Sequence, residues 1–239
     1  MKKFVLGFVL LNLFLIAGAQ ETTVPKKKKD WSSLDLSSKD HLLIQFGGYS
    51  WSQKPDSINT GGFSRTFNMY FMFDYPFKTN PHFSVGLGVG IGSDNLFLKK
   101  TNVDLKKADR LYFNKDSVTS YKKYKLVTAF LEVPVELRYT ADPENNNKSL
   151  KAAIGIKVGT MINAHTKAKV TRDAVNEGGY TTKVNDRIHF NNLRLAATAR
   201  LGYGVLSLFG TYQINQFIKD GSGPADVRPL TIGLTISGL

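Results

Sequence analysis

The segment Phe83-Ser84-Val85-Gly86-Leu87-Gly88-Val89-Gly90-Ile91-Gly92 sets large apolar side chains against Ser and four glycines in strict alternation. A two-residue period belongs to a β-strand, whose successive side chains point to opposite faces. If the large residues faced a soluble core, the glycine face would lie bare in water, which makes a poor strand. In a narrow closed barrel the bulky face meets hydrocarbon instead, and the small face leaves room for long side chains from the opposite wall.

Similar two-faced segments of about ten residues recur from residue 41 onward. In 67–75, Phe67, Met69, Phe71, Phe73 and Tyr75 share the outer face, while Asn68, Tyr70, Met72 and Asp74 share the inner one. In 130–139 the outer set is Leu131, Val133, Val135, Leu137 and Tyr139, against Phe130, Glu132, Pro134, Glu136 and Arg138. Segments 41–51, 150–162, 193–201, 205–213 and 230–237 complete a set of eight. The expected lipid-facing positions include Leu87, Val89, Val133, Leu137, Ile156, Leu195, Ile232 and Leu234. The connections alternate in length: 52–66, 93–121, 164–189 and 215–227 are long, while 76–81, 140–149 and 202–204 are short. The expected fold is all-β: an eight-stranded antiparallel up-and-down transmembrane barrel, with long outer loops and both termini in the periplasm. A turn at Tyr203-Gly204 would set Arg200 opposite Ser207 and Arg194 opposite Gln213, all on the inner face.

The first residues fit export. Lys2 and Lys3 precede an apolar run, 4–16, that is too short to span as a helix, and Ala17-Gly18-Ala19 has the form of a signal-peptidase site. The expected organisation is a signal peptide at 1–19, a polar periplasmic tail at 20–40 and a barrel at 41–239, located in the bacterial outer membrane. The run Lys26 to Lys29 reads as solvated, with contact to anionic headgroups as the alternative. The chain has no Cys, so a lipoprotein anchor and disulfides are excluded. Its net charge of +13 points to outer-membrane lipid and lipopolysaccharide as neighbours, and not to nucleic acid, because an exported chain seldom meets any.

Charges on the inner face must be paired, because an isolated ion out of water costs several kcal/mol. Glu132, Glu136, Arg138, Lys157, Arg194 and Arg200 are therefore expected to form a lumen ion-pair network, Glu132 with Lys157 and Glu136 with Arg138 and Arg194 or Arg200. A narrow barrel filled by such side chains favours a structural plug over an ion or proton path. Pro134 lacks a ladder donor and marks a bulge or bend. The second outer loop is basic through Lys99, Lys100, Lys106, Lys107, Arg110, Lys122 and Lys123, with Tyr112, Phe113, Tyr121 and Tyr124 interleaved and Asp94, Asp104, Asp109 and Asp116 as its acids. That composition suits lipid phosphates, surface polysaccharide or a partner protein, and equally a solvated loop. Trp51, Tyr75, Tyr139 and Tyr203 stand at strand ends, where interfacial girdles form.

Nothing in the sequence enforces catalysis. The four His are scattered, His165 and His189 flanking the third outer loop without a Ser or Asp fixed beside them, and with no Cys they offer no zinc ligand set. The glycine run fails as a nucleotide loop, since Ser93 replaces the third Gly and no helix follows. The chain reads as a non-enzyme without cofactors, in an envelope structural or surface-interaction role. A lipid-modifying enzyme and a small-solute channel are lesser alternatives.

Several stretches resemble the PorT-like outer-membrane β-barrel family of the Bacteroidetes: 71–77, 86–92, the strand Leu131-Glu132-Val133-Pro134-Val135-Glu136-Leu137-Arg138-Tyr139, 154–169, Gly210-Thr211-Tyr212 and 229–234. The resemblance covers 41–239 and implies an eight-stranded outer-membrane barrel. The family's namesake is associated with type IX secretion and gliding, which implies secretion-machinery or other envelope proteins as alternative partners. Leu239 departs from the terminal aromatic common in such barrels.

Overall fold

The computed structural model describes residues 42–237, apart from Ser57, 117–118 and 173–178. The expected signal peptide, the tail with its lysine run, His41 and Leu239 lie outside the described residues. The strands in chain order are β1 (Leu42–Ser52), β2 (Arg65–Phe77), β3 (Asn80–Leu98), β4 (Thr101–Asp104), β5 (Tyr112–Lys115), β6 (Ser120–Thr140), β7 (Leu150–Arg172), β8 (Tyr180–Asn185), β9 (Leu193–Tyr203), β10 (Leu206–Gln213) and β11 (Arg228–Ser237). Eight of them, all but β4, β5 and β8, form an antiparallel meander that β1 and β11 close into a barrel. Closure removes free sheet edges, so every backbone amide in the wall can be paired. Long connections (53–64, 99–119, 173–192, 214–227) gather at one end, and short ones (78–79, 141–149, 204–205) at the other.

The alternation sorts as expected. Leu87, Val89, Val133, Leu137, Ile156, Ile232 and Leu234 are exposed on the outer face, and Leu195 is half-buried there. The glycine face of β3 is occupied by side chains from its neighbours. A Cβ at Gly86 would sit 2.5 Å from Nε of Arg138, and one at Gly92 3.1 Å from Oε2 of Glu132.

Four details differ from the sequence reading. First, β3, β6 and β7 run well past the expected ends at 92, 130 and 162. Their alternation continues there, with Leu96, Leu98, Tyr124, Leu126, Ala164, Ala168 and Val170 buried inside the wall. Second, β7 carries a bulge: Phe130 pairs with Met161 and Ala129 with Asn163, so Ile162 is an extra residue and the inward face passes from odd to even positions. Third, the last short turn is Gly204-Val205, one residue later than expected. Ser207 therefore faces Gly202 and Arg200 faces Phe209, which keeps the parity but shifts the pairs. Gly204 adopts φ +60°, the left-handed conformation that tight hairpins favour. Fourth, Trp51 is not a girdle residue. It points inward, 5% exposed, and its Nε1 donates to the Tyr49 hydroxyl at 2.9 Å. Tyr75, Tyr139 and Tyr203 do face outward, all near the short-turn end.

Candidate functional site

The interior holds two charged clusters at different depths. In the deeper one, Arg194 of β9 places Nη1 3.0 Å from Oε1 of Glu132 (β6) and 3.0 Å from Oδ2 of Asp94 (β3), with its guanidinium 4.7 Å from the Phe130 ring. The Thr66 hydroxyl donates to Asp94 Oδ1 at 2.6 Å, and the Tyr70 hydroxyl donates to Glu132 Oε2. The Lys157 ammonium donates to the Tyr70 oxygen at 3.1 Å and to Gln45 Oε1 at 3.2 Å. Asn68 also donates to Gln45 Oε1, at 3.2 Å, and Gln45 Nε2 donates to Thr235 at 3.1 Å. Thus β1, β2, β3, β6, β7, β9 and β11 are tied across the bore by one polar layer. The direct Glu132–Lys157 pair is absent because Pro134, not Glu132, lies opposite Lys157, and the Tyr70 hydroxyl bridges the two.

Nearer the short turns, Glu136 accepts from Arg138 Nε at 3.0 Å and from Arg200 Nη2 at 2.6 Å, and Arg138 Nη1 lies 3.7 Å from Asp74. Arg200, not Arg194, is therefore the partner of Glu136. The acids Asp74, Asp94, Glu132 and Glu136 balance the bases Arg138, Lys157, Arg194 and Arg200, so the set carries no net charge into a space with little water. Asp94, read as a loop acid, belongs inside. It keeps the parity of Gly86 through Gly92, and that continuation was the signal for it.

Above the deeper layer, the long-loop end is filled with apolar side chains. Tyr49, Trp51, Leu96, Leu126, Phe130 and Met161 from the wall pack with Ile58, Val103, Leu111, Phe190 and Phe217 from the loops. Trp51 and Phe217 ring centres are 5.4 Å apart, and Phe190 and Phe217 5.1 Å. Backbone bonds lock the loops to one another: Leu111 N to Ser222 O at 2.7 Å, Asn191 N to Phe217 O at 3.0 Å and Lys219 N to His189 O at 2.9 Å. No sequence signal pointed to this head, because its apolar residues are scattered singly among polar loop residues.

The basic loop is a folded hairpin, β4 with β5. Its underside gives Val103, Leu105 and Leu111 to the apolar fill, while Lys99, Lys100, Lys106, Lys107 and Arg110 stay exposed, as do Lys122 and Lys123 at the start of β6. Lys107 and Arg110 lie over the Tyr112 ring at 4.3 and 5.0 Å. The three described histidines have separate surroundings: His189 is buried with Nε2 2.7 Å from the Lys107 carbonyl, His165 contacts Asn163 Oδ1 at 2.7 Å, and His82 contacts the Thr140 carbonyl at 3.0 Å.

Residues 39–221 match the family model described as outer membrane protein beta-barrel domain. No curated protein matches the chain significantly.

Proposed function

The chain belongs to the outer membrane protein beta-barrel domain family and is an integral protein of the bacterial outer membrane. From that premise we propose that it is a non-enzymatic, closed-lumen barrel that holds a folded head of long loops outside the cell, for interaction with envelope components. The observation that carries this reading is the double closure of the bore, by the charged layer around Arg194 and by the apolar head above it. A barrel of eight strands has little interior beyond what its own side chains fill. Among the described residues, the dispersed histidines His82, His165 and His189, each with its own structural contact, favour a binding role over catalysis.

The reading is tested in planar bilayers, where the purified chain is expected to give no stepwise conductance; regular single-channel steps would overturn it. Because the chain has no Cys, Lys106→Cys offers a single thiol. It is expected to react with an impermeant maleimide on intact cells. Kinship to PorT-like barrels comes second, supported by the 131–139 strand, and stoichiometric recovery of secretion-machine subunits from detergent would favour it.

The apolar belt supplies a further check. Leu87 lies midway along the outer row of β3 that runs from Phe83 to Ile91. Leu87→Arg is expected to cost about 2–4 kcal/mol in urea unfolding from lipid vesicles, the range for a cation at the bilayer midplane.

A further inference from the structure

The outer wall above the apolar belt carries a row of like charges that the fold does not require. Cross-strand pairing sets Lys125 of β6 opposite Lys167 of β7, and Lys167 opposite Lys183 of β8. Two residues further along, Lys123 faces Lys169. Lys123, Lys125, Lys167 and Lys169 point outward, since Tyr124, Leu126, Thr166 and Ala168 between them are buried, and Lys183 shares the face of Lys167 while its neighbour Val184 packs inward. On the other flank Lys125 faces Phe97 of β3, and Arg65 and Lys123 lie over that ring at 5.4 and 5.1 Å.

Like charges directly opposite one another destabilise a sheet, so a wall shaped by stability alone would alternate their sign. Among the described residues, none of these five lysines has a carboxylate within ion-pair distance; Lys125 donates to Asn95 Oδ1 at 2.6 Å. The positive surface continues into a cleft lined by Arg65, Phe97, Lys99, Lys100, Lys122 and Lys123. Its one carboxylate among the described residues, Asp116, accepts from the Tyr121 hydroxyl and the Thr119 amide.

Position selects the ligand. Along β6 the outward row reads Tyr139, Leu137, Val135, Val133, Leu131 and Ala129, then Val127, which shares their parity but is covered, and then Lys125. Along β7 it reads Ile154, Ile156, Val158, Thr160, Ile162 and then, past the bulge, Asn163, His165 and Lys167. The lysines thus begin where the hydrocarbon-facing side chains end, and they face sideways from the wall. We propose that this wall, centred on Lys125, Lys167 and Lys183, binds the phosphate groups of lipopolysaccharide lying against the barrel in the outer leaflet. The proposal rests on the reading that the long loops are extracellular. A lipid whose phosphates sit at the top of its acyl chains meets the wall at this height, whereas a soluble polyanion would approach the loop tips. The lysines would take the place of the divalent cations that otherwise screen neighbouring phosphates.

The test uses the full chain in phosphatidylcholine nanodiscs, titrated with bisphosphorylated lipid A, with dephosphorylated lipid A and with the soluble phosphorylated core oligosaccharide. Bisphosphorylated lipid A is expected to bind best. Lys167→Glu is expected to weaken it by about tenfold or more, given the free energy that each basic side chain contributes at an anionic surface. The same variant is expected to melt at a higher temperature in detergent, since a carboxylate would then stand between Lys125 and Lys183. Lys167→Arg should keep the affinity, and Lys167→Gln serves if the Glu variant does not fold. Equal binding of dephosphorylated lipid A, undiminished binding by Lys167→Glu, or equal affinity for the soluble oligosaccharide would each overturn the proposal. Labelling of Lys106→Cys keeps the two readings apart: outward labelling with no lipid A binding sinks this inference alone, and labelling only from the periplasmic side sinks both.

Discussion

Glu132→Ala is expected to destabilise the folded barrel by about 3–5 kcal/mol, the usual consequence of removing one partner from a buried ion pair. Glu132 is 1% exposed and receives Arg194 and the Tyr70 hydroxyl, which in turn receives Lys157. Without it two buried cations would share one carboxylate, Asp94, and Lys157 would lose the acceptor behind its bridge. Urea titration in lipid vesicles measures the loss, and a change below about 1 kcal/mol would show that water reaches the layer. The double variant Glu132→Leu/Lys157→Leu is expected to be less damaging than Glu132→Ala, because Arg194 and Asp94, 3.0 Å apart, then remain as a neutral pair.

Gly233→Val is expected to prevent closure altogether. Gly233 of β11 pairs with Gly47 of β1 at the seam that joins the two ends of the barrel. A Cβ built at Gly233 lies 2.3 Å from the Gly47 Cα and 2.3 Å from the Phe46 carbonyl oxygen, and neither backbone atom can swing aside as a side chain could. The expected result is loss of the compact, heat-modifiable species on unheated gels. Gly210→Ala on β10 is the control: a Cβ there meets nothing within 4 Å, so that variant should fold. Normal migration of Gly233→Val would mean that the seam spreads easily.

How much of this was legible in the sequence follows from what the side chains face. Hydrocarbon outside and a packed bore inside impose opposite demands on neighbouring residues, so segments such as 83–92 and 131–139 declare both strand and face. The inward charges follow from the same parity, and all six expected members point inside, Arg200 through its pair with Glu136. Pairing was less legible, because it depends on register across the ring. Lys157 meets Tyr70 and Gln45 from strands distant in sequence. Above the belt the rule itself changes, since water replaces lipid outside and apolar packing replaces charge inside. Alternation there runs Leu96 in and Phe97 out, or Tyr124 in and Lys125 out, which reads as loop to an eye tuned to greasy exteriors. Trp51 was misplaced for the same reason: at the height of the head, an aromatic belongs indoors.

The bulge residue Ile162 governs what that upper wall shows to each side. Were it removed, the distal part of β7 would rotate half a turn relative to its neighbours. His165, Lys167 and Lys169 would then be driven into the greasy stopper of the mouth, and Ala164, Thr166, Ala168 and Val170 would be turned out. A one-codon insertion thus acts as a polarity inverter, letting a single continuous strand serve oil below and brine above.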